Sequence, residues 1–597
     1  MASFLDPLTE GKRCRSAGQL GRAEQLLRQA LQAQPSNFEI LHLLANTCQD
    51  QGKLPESVQY FREAIRLAPQ RVEGHNGLGI SLTMMGRLQE ALVSFQQALA
   101  INPMSAEAHN NMGTVFQRLG NHAQAAASFA EAVRLRPHFA EGYNNLGVAL
   151  LNAGDLEKAL ANFQRAVELK PDHMEAHKNA GIALRDLGRL DEAVASFEAA
   201  LGLKPDYADG LISLGLAQMQ QRKIEQAIAS YQRALEIKPD FAEGHNNLGI
   251  MYLEQGRIED ALTQYRKTIR LRPDYPDGHW NHALLLLLLG DFRHGWLEYE
   301  WRRKLKNVGA AIRQPLWTGT PLEGRTILVF TEQGAGDTFQ FVRYAPLVKQ
   351  RGGRVLFACR ESMLPILSRC PGIDQFMAHG TPPPPFDFFA PLMSLPGIFE
   401  TTLETIPSSV PYVFADAALV ESWRKQLQGI AGFRLGIAWQ GDPKYPGDRH
   451  RSIPLANFEP LAHVKGVSLI SLQKGPGVEQ IAHLDGRFQV TDLGNQLDTS
   501  GGAFTDTAAA MMNLDLVITS DTSIPHLAGA LGVPVWVVLG KVPDWRFLLD
   551  RDDSPWYPTM CLFRQKQLGD WRSVFEVVAA ELEKLVATKE QSARSSP

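Results

Sequence analysis

Proline recurs at a fixed spacing of 34 residues through the first half of the chain. The positions are Pro35, Pro69, Pro103, Pro137, Pro171, Pro205, Pro239 and Pro273. A unit of this length holds two short amphipathic helices, which cannot bury their apolar faces alone. Neighbouring units must therefore stack into an α-solenoid with a long concave surface. This predicts that the first half of the chain holds an extended partner.

Other residues of the repeating unit agree with this period. In the unit at 106–139, Gly113 and Ala125 are small enough for helix backbones to approach, and Gly120 suits the end of the first helix. Phe129 then fills the gap between the two helices. This pattern identifies the tetratricopeptide repeat, a helix-turn-helix unit.

The repeats occupy residues 4–305. We predict eight full repeats over 4–275 and a degenerate ninth over 276–304. Glycine recurs at the turn between the two helices of each repeat, with Arg222 as the exception. The ninth repeat becomes apolar at 284–289, which predicts that it packs on a second domain rather than facing water.

Asparagine recurs at one position of the first helix. The positions are Asn111, Asn145, Asn179, Asn247 and Asn281. Asparagine is a poor helix former, and its amide carries both donor and acceptor. Amides along the inner wall could bind an extended peptide backbone without reading its sequence. This resembles the asparagine ladder of the O-linked N-acetylglucosamine transferases; the alternative is that Asn is simply the favoured residue of this repeat.

The residues that often bind metals form no metal motif. Histidine recurs with the repeat at His75, His109, His177 and His245, and this regularity indicates a role in helix packing. The five cysteines form no CxxC pair, which is typical of a reducing compartment. One Asp-x-Asp sequence, at 550–552, follows a tryptophan-rich loop and is interpreted as solvated surface. We predict no metal site and no cofactor.

Composition argues against several classes of function. The chain has 597 residues and a formal net charge of -4 without a basic run, which disfavours a nucleic-acid groove. The N-terminal residues lack the apolar core of a signal peptide, and the apolar run at 284–289 is too short to span a bilayer. We therefore expect a cytoplasmic protein. The polar residues 588–597 predict a disordered tail.

Past Trp317 the pattern changes to strand-then-helix units. A strand at 326–331, a helix at 337–349 and a strand at 354–358 open the series, and further apolar strands follow from Phe433. Two such sets, separated near 422–431, predict two Rossmann-like domains at 315–421 and 432–587 with a cleft between them. Ligands of such sheets bind at the carboxyl ends of the strands.

Two loops at predicted strand ends carry candidate functional residues. The first, EQGAGDTFQFVRY at 332–344, lacks the third glycine of a dinucleotide fingerprint and the Lys-Ser/Thr of a P-loop. Its Asp337 is either a helix cap or a general base. The second loop, at 518–534, places Asp521 at a helix start that favours an anion. The alternative for this loop is an ordinary capped helix with a packed histidine.

Together, these segments resemble a known family. From about 315 to 571 the chain is similar to the heptosyltransferase-like glycosyltransferases of the GT-B fold that are fused to tetratricopeptide repeats in bacteria. The segments are EQGAGDTFQFVRY, GIAWQGDPKYPGDRHRSIPL, SLQKGPGVEQ, SDTSIPHLAGALGVPVW and WYPTMCLFRQ. The resemblance implies that the C-terminal domain binds a nucleotide-activated sugar and that the other domain presents the acceptor.

The resemblance also assigns residues to roles. It implies that Asp337 is the general base, and that the nucleotide sugar is bound by Arg451, Lys474, Glu479, Asp521, Thr522, Ser523 and His526. Two positions depart from the family pattern, because Ser523 replaces a glycine and the proline falls one place late, at Pro525.

The function implied is transfer of a sugar to a protein hydroxyl, without a metal. The repeats would recruit the acceptor chain, and the likeness to flagellin glycosyltransferases makes flagellin the leading candidate. Two alternatives remain open: transfer to lipopolysaccharide or another glycan, and a non-catalytic repeat scaffold.

Overall fold

The computed structural model describes residues 6–445, 447–499 and 501–595. The chain divides into two compact units, 1–244 and 245–597. The predicted repeat start at Phe4 and the tail residues Ser596 and Pro597 lie outside the described residues.

The described part of the first unit is helical, with two helices in each repeat. In chain order the helices are α1 (Pro7–Ser16), α2 (Leu20–Ala33), α3 (Phe38–Asp50), α4 (Leu54–Leu67), α5 (Val72–Met84), α6 (Leu88–Ile101), α7 (Ala106–Arg118), α8 (His122–Leu135), α9 (Ala140–Asn152), α10 (Leu156–Leu169), α11 (Met174–Asp186), α12 (Leu190–Leu203), α13 (Ala208–Gln220) and α14 (Ile224–Ile237). Each helix packs on the next, as the 34-residue period predicts.

Glycine on the first helix of a repeat makes room for an aromatic ring of the second. A Cβ atom added at Gly113 would lie 2.8 Å from the ring of Phe129, and one at Gly147 would lie 2.5 Å from the ring of Phe163. Both rings are fully buried. The predicted close approach of the two helices is therefore confirmed.

The turns within the repeats use left-handed backbone. Gly120 and Gly188 have φ of +76° and +77°, a region that glycine adopts freely. Arg222 takes the same conformation with φ of +64°, although an L side chain is strained there. The turn geometry is thus retained where the glycine is missing.

The recurring histidines join each repeat to the preceding helix end. In each case Nε2 bonds the carbonyl oxygen of the proline six residues earlier: His75 to Pro69 at 2.9 Å, His109 to Pro103 at 3.0 Å, His177 to Pro171 at 2.9 Å and His279 to Pro273 at 2.9 Å. Proline cannot continue a helix, so its carbonyl needs a partner outside the helical ladder. The predicted packing role is confirmed for His75, His109 and His177. His279, which the sequence analysis did not name, makes the same bond, whereas the buried His245 bonds Oε1 of Gln264 through Nδ1 at 2.7 Å.

The second unit opens with the last repeats. Their helices are α15 (Ala242–Glu254), α16 (Ile258–Leu271), α17 (Pro276–Leu288) and α18 (Phe292–Tyr299), followed by the short α19 (Arg302–Leu305). On α18, Trp296 packs edge-on against Trp545, and its indole Nε1 donates to the carbonyl of Thr401 at 2.9 Å. The prediction that the ninth repeat packs on the following α/β region is therefore confirmed.

The α/β region contains two parallel sheets among its described residues. The first has the order β3-β2-β1-β4 and consists of β1 (Thr326–Phe330), β2 (Arg354–Cys359), β3 (Gln375–Ala378) and β4 (Phe388–Pro391). The second has the order β10-β9-β8-β5-β6-β7 and consists of β5 (Phe433–Ala438), β6 (Val467–Ser471), β7 (Thr491–Asp492), β8 (Leu516–Ser520), β9 (Val535–Leu539) and β10 (Met560–Arg564). The second order is that of a doubly wound dinucleotide-type sheet, whose direction reverses between β5 and β8.

Helices connect and cover these strands. They are α20 (Ala335–Phe341), α21 (Ala345–Lys349), α22 (Leu364–Leu367), α23 (Leu395–Ile398), α24 (Ala417–Leu427), α25 (Glu459–Ala462), α26 (Thr505–Met511), α27 (Ser523–Leu531) and α28 (Trp571–Ser595). Phe575 of α28 and Phe458 pack in the core beneath the second sheet, with ring centroids 4.5 Å apart.

Two predictions for this half, the helix at 337–349 and the disordered tail, need correction. The single helix predicted at 337–349 is broken into α20, a 3-10 turn and α21, because Pro346 has no N–H to continue the ladder. The stretch at 422–431, predicted to separate the two domains, includes the end of α24, which Asp416 caps and the buried Trp423 anchors, and the domain boundaries stay a prediction. The disordered tail predicted from residue 588 is wrong for its described part, because α28 continues to Ser595.

Candidate functional site

The loops that follow four strands line one cleft in the second unit. The cleft has a volume of about 920 Å³ and is lined by residues that follow β1, β5, β8 and β9. All four loops leave the carboxyl ends of parallel strands. Two of them, after β5 and β8, lie at the point where the strand order reverses, which is the usual ligand position in such sheets.

The first and second candidate loops meet in this cleft. A Cβ atom at Gly336 would lie 3.1 Å from Cδ2 of His526 and 3.4 Å from Cα of Ser523. Glycine at this position therefore allows α20 and α27 to approach with their N-termini together. The structure thus brings together residues 185 or more positions apart that the sequence could place only on separate loops.

Asp337 caps α20 and also forms an ion pair. Its Oδ2 accepts a hydrogen bond from the backbone N–H of Gly334 at 2.7 Å, which satisfies one free donor of the helix start. Its Oδ1 accepts from Nη2 of Arg546, in the loop after β9. The N-cap of α20 is Gly334, and Asp337 is the third helical residue, so its carboxylate caps the helix start from within the first turn rather than as the N-cap. The carboxylate also lines the cleft, and its role as a general base stays a prediction.

Arg546 is held by a second carboxylate from its own loop. Its Nη1 donates to Oδ1 of Asp544 at 2.8 Å. The Arg546 side chain is only 9% exposed, and its pKa is raised, because the nearby carboxylates of Asp544 and Asp337 outweigh the effect of burial. The sequence analysis missed both Arg546 and Asp544; the only signal was their position just after a predicted strand end.

The start of α27 has hydrogen-bond donors that an anion could use. Thr522 is the N-cap, and its side chain accepts from the N–H of Ile524 at 3.4 Å. Ser520, at the end of β8, is fully buried, and its Oγ has no hydrogen-bond partner among the described residues. Together with the free N–H groups and dipole of the helix, this offers donors to a negatively charged ligand.

Two titratable groups at this helix start have strongly shifted pKa values. Burial and the neighbouring carboxylate of Asp544 raise the pKa of Asp521 to about 7, although Arg451 and Arg546 oppose the shift. Burial and the charge of Arg546 lower the pKa of His526 well below its usual value, so its imidazole is neutral. His526 Nδ1 lies 3.2 Å from the hydroxyl of Tyr557.

The remaining predicted donor-binding residues fall in different places. Arg451 lines the cleft, where its Nε donates to Asp448 at 3.1 Å. Lys474 lines an adjoining cavity of about 890 Å³ that shares Thr522 and Ser523 with the cleft. Its Nζ donates to the carbonyl of Leu497 at 2.8 Å.

Glu479 is not brought to this site. It is exposed, and its Oε2 accepts from the N–H of Gly477 at 2.9 Å, within its own turn. Among the described residues that line the cleft and the adjoining cavity, Glu479 does not occur. Among the predicted donor-binding residues, all of which the structure describes, Glu479 is thus the one that lines neither cavity.

The last repeats contribute the opposite wall of the cleft. Trp280 and Asn281 on α17 line it together with Asp337 and Asp521. Glu254 on α15 also lines it and pairs with Nη2 of Arg449 at 2.7 Å. One of the predicted ladder asparagines therefore faces the same space as the strand-end loops.

Four of the predicted ladder asparagines donate hydrogen bonds to other asparagines, which lie outside the ladder in the preceding repeat. Each donates from Nδ2 to Oδ1 of an asparagine 35 residues earlier: Asn111 to Asn76 at 3.1 Å, Asn145 to Asn110 at 3.1 Å, Asn179 to Asn144 at 2.9 Å and Asn281 to Asn246 at 2.9 Å. Asn247 is half-buried on α15. The bonds explain the recurrence structurally, and each uses one of several hydrogen-bonding positions of an amide. Peptide binding by the remaining positions stays a prediction.

The Asp-x-Asp sequence lies on the surface. Both Asp550 and Asp552 are exposed, as the sequence analysis predicts. Among the described helices, none combines the length and apolar character needed to cross a bilayer.

Comparison with known proteins identifies the repeats. Residues 15–80, 110–173 and 144–208 match family models described as tetratricopeptide repeat. Residues 81–120, 219–256 and 249–290 match a model described as TPR repeat. The N-terminal half of the chain therefore consists of tetratricopeptide repeats.

Similar proteins include one curated relative and several solved structures. Protein FlbA of Caulobacter vibrioides is 28% identical over 330 residues, which cover 51% of this chain and 54% of FlbA, so the match spans about half of that relative. The crystal structure of YrrB, a TPR protein with an unusual peptide-binding site, is 25% identical with a TM-score of 0.29 and covers 33% of this chain and 97% of YrrB. The APC/C hetero-tetramer Cut9-Hcn1 is 18% identical with a TM-score of 0.36, covering 45% of this chain and 52% of that one.

Proposed function

We propose that this protein is a cytoplasmic, metal-independent glycosyltransferase of the GT-B type that moves a sugar from a nucleotide donor to a Ser or Thr hydroxyl of a protein. The observation that carries the proposal is the shared cleft. A carboxylate at a helix start, an anion-binding helix N-terminus and the wall of the last repeats all line one space.

The donor would bind along the second sheet. Its diphosphate would lie at the start of α27, where Thr522 and Ser523 border both the cleft and the adjoining cavity. The nucleoside would occupy that cavity, near Lys474, and the sugar would face the cleft. Arg451 would stabilise the diphosphate as its negative charge grows.

The chemistry requires one base and one stabilised leaving group. As the acceptor oxygen forms its bond to the anomeric carbon, the bond from that carbon to the diphosphate oxygen breaks. Asp337 accepts the hydroxyl proton, and the electron pair leaves with the nucleoside diphosphate. Direct attack of this kind inverts the anomeric configuration.

A protein acceptor is supported by the repeats. Solenoids of this kind present extended concave surfaces, and Trp280 and Asn281 of the last repeats line the cleft itself. A glycan acceptor would leave the repeats without a role. Flagellin is the first candidate, on the analogy with bacterial flagellin glycosyltransferases.

The proposal is tested with purified protein and a panel of nucleotide sugars that includes UDP-, GDP-, CMP- and ADP-linked donors. A donor should raise the melting temperature. With unmodified flagellin it should release its nucleotide, a nucleoside diphosphate or, from a CMP-linked donor, CMP, while flagellin gains one sugar mass. Asp337→Asn should retain donor binding and lose transfer by a factor of about 100 or more. Full transfer by this variant would refute the assignment of Asp337 as the base. If no donor of the panel binds to the wild-type protein, the proposal that it is a glycosyltransferase is refuted.

A further inference from the structure

Arg546 joins two parts of the cleft through two different kinds of contact. Its pair with Asp544 is local, because the two residues are two positions apart in one loop and are also joined by a backbone N–H bond of 3.0 Å. Its pair with Asp337 crosses from the loop after β9 to the start of α20. Breaking the second contact therefore leaves the first intact to hold the side chain.

The guanidinium retains unused hydrogen-bonding capacity at a buried position. Arg546 is 8% exposed, and its Nε has no partner among the described residues. The buried Oγ of Ser520, at the start of the α27 loop, also lacks a described partner. Two unsatisfied buried groups bordering an anion-binding helix start are costly unless a ligand supplies acceptors.

We propose that Arg546 is a donor-sensing residue, which releases Asp337 when the diphosphate of the nucleotide sugar binds. This inference rests on the proposed function. An arginine fork matches a diphosphate in geometry and charge, and a dianionic group competes well with a single carboxylate. Asp544 would keep the side chain in place as its second partner changes from carboxylate to phosphate.

The exchange would couple donor binding to the base. Before the donor binds, the ion pair with Arg546 occupies Oδ1 of Asp337. After the exchange, one carboxylate oxygen is free to accept the acceptor's proton, while the other still caps α20 through Gly334. The donor must therefore bind before the acceptor hydroxyl can lose its proton, so the hydroxyl is activated only when the nucleotide sugar is bound.

The test measures binding of inorganic pyrophosphate by calorimetry in four proteins: wild type, Arg546→Gln, Asp337→Asn and the double variant. We expect Arg546→Gln to bind at least about tenfold more weakly, because charged hydrogen bonds to phosphate are lost. Asp337→Asn should bind several-fold more tightly, because no ion pair must be broken first. Arg551→Gln is the matched control, since Arg551 lies five residues away and pairs with Asp553 instead.

The double variant separates this exchange from simple repulsion. If Asp337 acts only by its charge on the ligand, its removal tightens binding equally in the Arg546→Gln background. If it competes for Arg546, the gain disappears in that background, and the double variant binds as weakly as Arg546→Gln. Arg546→Lys, which keeps the charge and loses the fork, should lie between wild type and Arg546→Gln and serves if the Gln variant does not fold.

Equal gains in both backgrounds, or unchanged binding by Arg546→Gln, would overturn the proposal. The nucleotide-sugar panel distinguishes this failure from failure of the proposed function. If wild type and Arg546→Gln bind and transfer sugar equally well, the role of Arg546 is refuted and the proposed function stands. If wild type binds neither pyrophosphate nor any donor, both the role of Arg546 and the proposed function are refuted.

Discussion

Donor affinity should fall as the pH rises through neutrality, because of Asp521. Burial and the carboxylate of Asp544 raise its pKa to about 7, so the group is neutral below that pH and charged above it. A carboxylate about 4 Å from a phosphate charge is repelled by about 4 kcal/mol at an effective dielectric of 20, so the neutral form should be the one that binds.

The magnitude follows from this titration. With a pKa of about 7, the neutral fraction falls from about 0.9 at pH 6 to about 0.1 at pH 8. Affinity should therefore fall about tenfold over this range, or about 1.4 kcal/mol. The assay is calorimetric titration with the nucleotide sugar of largest thermal shift, whose phosphates do not titrate in this range.

Asp521→Asn provides the control. It stays neutral at every pH, so its affinity should vary little between pH 6 and 8 and should resemble that of wild type at pH 6. His450 also lines the cleft and remains in the variant, so any effect of this residue on binding would persist there. A tenfold fall that survives in Asp521→Asn, or affinity that rises with pH in wild type, would refute the reasoning.

Three further predictions concern stability. Arg222→Gly should raise the free energy of unfolding of the repeats, measured in urea, by about 0.5–1 kcal/mol, because relief of left-handed strain exceeds the entropy that glycine adds to the unfolded chain. A free energy of unfolding below that of wild type would show that Arg222 makes compensating contacts. Gly113→Ala should lower the same quantity by about 1–3 kcal/mol, because the added methyl overlaps the ring of Phe129, and an unchanged urea midpoint would show that the ring moves freely. The pKa of the His526 imidazole is lowered in the folded state, so below pH 6.5 the unfolded state binds a proton that the folded state does not. The free energy of unfolding therefore falls as the pH falls. The His526→Gln variant should therefore lose less stability than wild type between pH 7 and 5, by up to about 1.4 kcal/mol per pH unit, in thermal melts; parallel curves would contradict this.

The periodic features could be predicted because each repeat supplies the same local signal. The prolines, the turn glycines and the histidines each recur in phase, so one structural explanation applies to all copies. Strand ends were also predictable, since apolar runs mark parallel strands and their loops follow directly. This placed Asp337 and Asp521 on candidate loops, although not next to each other.

The contacts between distant loops could not be predicted from one sequence. The pairing of Arg546 with Asp337 depends on how two sheets bring their loops together, and no local pattern encodes it. The asparagines show a related limit. Their recurrence was evident, yet the hydrogen bond from Asn111 to Asn76 joins two repeats and follows from the stacking geometry alone.

The most direct test of the central claim is the intact mass of flagellin from cells that express this protein. Wild-type cells should yield flagellin with discrete sugar-sized mass increments. Cells that carry Asp337→Asn should yield flagellin without those increments, and the size of the lost increment would identify the class of sugar. Identical increments in both cell types would contradict glycosylation of flagellin by this protein.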